Sequence, residues 1–170
     1  MPDRPRRRLV VLPLAALALM PMACSRGDEP AQEQTPQAAS AGPDAPAGIS
    51  VTDARLVLPA VRGNPAALYF AIANNGAADA ALASAHVAGA GMAMLHTTSM
   101  EGMNASMEHV AEVPVPAGET VEFAPGGMHV MVYEPGETLA AGGTTEVTLT
   151  LASGDKISFP AALRAAGDAS

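Results

Sequence analysis

A chain of 170 residues that is 49% hydrophobic and only 15% charged is sized for one hydrophobic core with appended segments. It has no Trp, two Tyr and three Phe, too few rings for a platform that stacks nucleic-acid bases. Removing the first 23 residues takes away four Arg and one Asp and moves the formal charge from −8 to −11. A surface of that sign repels phosphate backbones, so no nucleic-acid partner is expected.

Residues 1–23 read as an export signal. Arg4, Arg6, Arg7 and Arg8 form a basic start, and residues 9–20 form an apolar stretch too short to span a bilayer comfortably. Cys24, the single cysteine, directly follows Ala23, where bacterial lipoproteins carry the cysteine that is acylated and becomes the mature N-terminus. Ala23 fits that pattern and Pro21 departs from it, standing where Leu is usual. Two outcomes are open: a periplasmic lipoprotein held to the membrane through its N-terminal lipid alone, or plain cleavage to a soluble periplasmic protein. Neither leaves an intrachain disulfide.

Residues 24–48 are rich in Pro, Ala, Gln, Ser, Gly and acidic residues, with no apolar side chain larger than Ala or Pro after the cysteine. Such a segment does not repay the entropy of ordering, and it predicts a disordered tether. From Ile49 to residue 165 short apolar runs recur between turn signals, the spacing of an all-β domain. The strands are expected over 49–58, 67–73, 80–87, 92–97, 107–113, 120–123, 129–133, 144–151 and 156–163. They are separated by turn formers such as Asn74-Asn75-Gly76, Pro125-Gly126-Gly127 and Ser153-Gly154-Asp155. Residues 166–170 read as a tail.

Of the ten methionines, Met1, Met20 and Met22 belong to the signal, and the other seven lie between Met92 and Met131. His96, His109 and His129 share that window. Core packing accounts for methionine in general, but not for its absence from every other strand of the domain. Thioether sulfur is a soft neutral donor that favours Cu(I), and imidazole suits copper as well. Zinc would recruit Cys, His or carboxylate. With no cysteine in the domain, a blue-copper centre lacks its thiolate. Strand periodicity aims His129 and Met131 to one face with Val130 on the other, and His96 and Met107 flank the Glu101-Gly102 turn.

His96 is followed by ten residues and Met107, then by twenty-one residues and His129, then by Val130 and Met131. With Pro125-Gly126-Gly127 ahead of the second histidine, this resembles the periplasmic copper chaperone family, whose signature is His-x10-Met-x21-His-x-Met. The resemblance covers roughly residues 49–163, including Ala67-Leu68-Tyr69. It implies a cupredoxin-like Greek-key β-sandwich and a shallow site holding one Cu(I) through His96, Met107, His129 and Met131. The implied task is delivery of copper toward the dinuclear site of cytochrome c oxidase, with an oxidase subunit or another oxidase-assembly copper chaperone as partner. The Met- and His-rich tails of some relatives are missing here.

His109, two residues beyond Met107, is the leading auxiliary donor, with Met94 and Met128 behind it. Met92, Met100 and Met103 read as soft hydrophobic cover, and His86 as structural. No nucleophile–base pair, phosphate cradle or zinc-hydrolase motif points to an enzyme. Two alternatives use the same residues differently: a buffering or resistance protein would bind copper without a specific acceptor, and a structural envelope lipoprotein would bind none.

Overall fold

β2 (Ala66–Asn74) alternates buried and half-buried positions along its whole length, as a strand does when one face meets a core. β9 (Thr144–Leu151) and β10 (Lys156–Arg164) repeat the pattern. The computed structural model describes residues 46–168 apart from 102 and 103, so the export signal, Cys24, nearly all of the tether, Gly102 and Met103 lie outside the described residues. The remaining strands are β1 (Ile49–Val57), β3 (Ala80–Val87), β4 (Ala90–Glu101), β5 (Asn104–His109), β6 (Val113–Val115), β7 (Thr120–Phe123) and β8 (Met128–Pro135). Among the described residues there is no helix.

All ten strands belong to one hydrogen-bonded sheet, in the order β5-β4-β8-β7-β2-β1-β10-β9-β3-β6. Its buried side chains meet in a single cluster drawn from every strand except β5. The layers of the expected sandwich are present, joined along their ladder in one open sheet that packs over one core. The continuity comes from β2, which pairs with β7 over residues 70–73 and with β8 over residues 66–68. Where β7 gives way to β8, residues 124–127 leave the line of the strand and return. Phe70 marks the centre of the core, stacked on Phe123 at 4.3 Å and tilted against Phe159 at 6.0 Å.

One expected strand divides. Residues 107–113 were expected as a single strand, but β5 ends at His109 and β6 begins at Val113, and the two occupy opposite edges of the sheet. The cause is a switch of environment: residues 105–109 are exposed, whereas Val113 and Val115 are buried. Pro114, which has no N–H to give to a ladder, fits the edge position of β6.

Asn74, only 1% exposed, closes the turn after β2. Its Nδ2 donates to the carbonyls of Ala78 (2.8 Å) and Val115 (2.9 Å), and its Oδ1 accepts the Gly76 N–H at 3.0 Å. Asn74→Ala removes three hydrogen bonds and strands two carbonyls, so it should cost about 3 kcal/mol. Urea denaturation checks this; a loss below about 1 kcal/mol would show that the turn does not depend on the side chain.

Candidate metal centre

The site is written by the register of β4 between its two antiparallel neighbours. His96 lies opposite His109 of β5 on one side and His129 of β8 on the other. Directly opposed residues in an antiparallel sheet share a face, so the three imidazoles form one row across three strands. The His96 ring is 5.9 Å from that of His109 and 6.0 Å from that of His129, centroid to centroid. Two residues along, Met94 lies opposite Met131, and on the other side of the row Met107 lies opposite Thr98. All of these occupy the outer face, because the intervening Leu95, Val130 and Val132 are sealed in the core.

His129 is held in one tautomer. Its Nδ1–H donates to the Gly127 carbonyl at 3.0 Å; because a carbonyl only accepts, Nε2 keeps its lone pair for a metal. The same carbonyl accepts the Thr98 N–H at 3.1 Å, tying the β7–β8 connection to β4. That connection is a turn closed by the Gly127 N–H on the Ala124 carbonyl, with Pro125 at its first corner and Gly126 at φ 81° at its second, where a side chain would be strained.

His96 differs from its neighbours. Both of its ring nitrogens are shielded from solvent and neither has a hydrogen-bond partner. Burial, reinforced by the neighbouring His129 and His109, lowers its pKa below the ordinary 6.5, so it stays a neutral imidazole. A buried unpartnered polar group is costly, and a neutral imidazole with a free lone pair is a metal donor. The chemistry of the row fits an ion it can take up.

The candidate donors singled out from the sequence each have a definite place. His96, His129, Met131 and Met94 come together on the β4–β8 half of the face. His109 and Met107 lie on exposed β5, with Met107 52% exposed. Met128 does not share the face: it pairs with Thr97 and packs against the core. Met92 is exposed further along β4, and His86 is exposed on β3, outside the row.

The row has an extension that periodicity does not single out. Tyr69 of β2 tilts against His129 at 6.5 Å, filling the place where β7 gives way to β8, and the Arg55 guanidinium lies 5.3 Å from the Tyr69 ring centre. Arg55 reaches this face because of a bulge: Thr52 pairs with Ala71 but Arg55 with Tyr69, so β1 carries one extra residue. Asp53 absorbs the bulge at φ 56°, a conformation Asp tolerates better than most. The sequence signal was a parity switch, from buried 49 and 51 to buried 56.

The LpqE-like lipoprotein family model matches residues 49–163, well over half of the chain. The chain belongs to this family. No curated protein matches the LpqE-like chain, but solved structures do. The copper-bound PCuAC domain from PmoF2 superposes with a TM-score of 0.60 at 21% identity, over 71% of this chain and 96% of that one. The apo PCuAC domain from PmoF1 gives 0.58 at 25% identity, over 69% and 94%. Cu(I)-loaded DR1885 from Deinococcus radiodurans gives 0.54 at 23% identity, over 79% and 83%. The fold of this LpqE-like chain is the cupredoxin-like β fold of those domains.

The unpartnered His96 predicts an inverted stability effect. In the metal-free protein, His96→Leu should leave the melting temperature unchanged or raise it, since an apolar side chain removes the orphaned nitrogens. The pH dependence has a fixed sign. With the folded pKa below 6.5, the unfolded chain binds the extra proton first, so wild-type stability falls as pH drops below about 6.5 toward the folded value. The Leu variant should lose that part of the slope. Calorimetry between pH 7.5 and pH 5 tests both, and a clear drop in melting temperature for the variant at pH 7.5 would contradict the assignment.

Proposed function

We propose that this protein is a periplasmic carrier of Cu(I), not an enzyme, with His96, Met107, His129 and Met131 as donors. Its acceptor is a copper protein of the oxidase assembly route, the dinuclear site of cytochrome c oxidase or a chaperone that feeds it. The observation that carries the reading is His96: two buried, unpartnered ring nitrogens in the middle of a row of imidazoles, with thioethers on both sides of the row.

The donor set selects the metal. Among the described residues no three His, Cys, Asp or Glu side chains converge on one point. The donors beside the two imidazoles are thioether sulfurs, which favour Cu(I); zinc would ask for thiolate, carboxylate or a third imidazole. The copper-bound PCuAC domain and Cu(I)-DR1885 share the fold and support the same cargo.

Release follows from exposure. Met107 is 52% exposed at the sheet edge, so a partner's thiolate or imidazole can displace it before the deeper donors let go. The lipoprotein family, the export signal and Cys24 support an extracytoplasmic place with a lipid tether. No helix among the described residues is long and apolar enough to cross a membrane.

An anaerobic competition titration of the full chain with Cu(I), wild type against the double variant His129→Ala, Met131→Ala, tests the site. One tight equivalent, weakened at least about tenfold in the variant, is the expected result. No tight binding by the wild type, or binding indifferent to both substitutions, would overturn the reading. A deletion strain tests delivery: oxidase activity should fall and recover on added copper, whereas copper sensitivity with normal oxidase would indicate buffering.

A further inference from the structure

An imidazole bound through nitrogen sets its ring centre about 3.2 Å from the metal, so two rings sharing one ion lie no more than about 6.4 Å apart. The His96–His129 pair, at 6.0 Å, meets that limit, and so does the His96–His109 pair, at 5.9 Å. The three rings together do not converge on one point. His96 is therefore a member of two pairs, each close enough to share one ion, and both of its ring nitrogens are free of other partners.

The sulfur donors divide the same way. Met131 belongs to the strand of His129, two residues on and opposite Met94, while Met107 belongs to the strand of His109 and lies across the row, opposite Thr98. Exposure divides with them: His129 is 5% exposed on a core-backed strand, Met107 is 52% exposed, and His109 is exposed on a strand that adds nothing to the core. His109 is nevertheless well placed, because the next residue, Val110, packs against the core and donates its N–H to the Leu95 carbonyl at 2.9 Å.

We infer that the histidine row holds Cu(I) in two alternative positions that share His96: an inner one with His129 and Met131, and an outer one with His109 and Met107 from which an acceptor takes the ion. This rests on the copper reading above and refines its donor set: the four donors are divided between the two positions rather than used at once, and His109 is added. In the step between positions the bonds to His129 Nε2 and the Met131 sulfur break as bonds to a His109 ring nitrogen and the Met107 sulfur form. The ion stays Cu(I), both imidazoles stay neutral, and no electron or proton moves.

The test uses the full chain and anaerobic Cu(I) competition. The double variant His129→Ala, Met131→Ala, which lacks the inner position, should still bind one Cu(I), more weakly than wild type, and adding His109→Ala should weaken that residual binding by at least about tenfold more. A double variant with no residual binding, or residual binding that His109→Ala leaves unchanged, overturns the outer position while wild-type binding keeps the copper reading intact. Wild type that binds no Cu(I) overturns both. Cu(I) is diamagnetic, so histidine ring resonances provide a check that needs no substitution: at one equivalent those of His109 should shift along with those of His129, and an unmoved His109 overturns the inference.

Discussion

Leu95 on β4 and Val130 on β8 lie opposite each other, and both are buried in the core. Side chains alternate along a strand, so burying that pair sends His96 and His129 to the other face as neighbours. A slip of one residue would put His96 into the core and Leu95 outside. It would forfeit the burial of Leu95, about 2 kcal/mol, and bury the His96 imidazole in its place. The histidine face is thus specified by apolar packing behind it. Two backbone bonds pin the alignment from either side: Val110 N–H to Leu95 on the β5 flank, and Thr98 N–H to Gly127 on the β8 flank.

That arrangement carries a cost in the metal-free state. His96 gives up its water contacts and receives no hydrogen bond in return, and a folded state optimised for stability alone would place an apolar residue there. Its neighbours are better supplied: His129 has the Gly127 carbonyl and the Tyr69 ring against it, and Tyr69 has Arg55 over its other surroundings. The β1 bulge, the Pro-Gly-Gly turn and the break between β7 and β8 all serve to pack one side of the row from outside the core. Local departures from regular strand geometry thereby accumulate around the chemistry.

Much of this was legible in the sequence because period-two alternation and turn residues are local signals. They placed β1, β2, β3, β7, β9 and β10 within a residue or two and put His129 and Met131 on a common face. Pairing between distant strands is not local. Nothing in the spacing of His96, His109 and His129 says that they fall on one rung, since that depends on which strands become neighbours and in what register. The strand expected over 107–113 failed for a related reason: its two halves pair with β4 and β3, at opposite edges of the sheet, and only the alternation of Val113 and Val115 hinted at a fresh start. Arg55 was hidden because a bulge changes which face a residue occupies without changing composition, leaving only the parity switch between Val51 and Leu56 as a trace.

The physical character of the donors decides how such a site behaves. Thioethers and neutral imidazoles bring no charge to offset the ion, so affinity comes from soft donor character rather than ion pairing, and a partner offering an anionic thiolate holds an intrinsic advantage in exchange. The acidic balance of the chain, −8 overall, draws cations toward the surface at long range without placing a carboxylate among the donors. The two halves of the site then differ in stiffness. β4 and β8 are backed by buried Leu95, Val130 and Val132, whereas β5 is an edge strand with no core residue. Segments with few buried contacts open most readily, so the β4–β8 half of the proposed site is rigid and the β5 half is the one free to move.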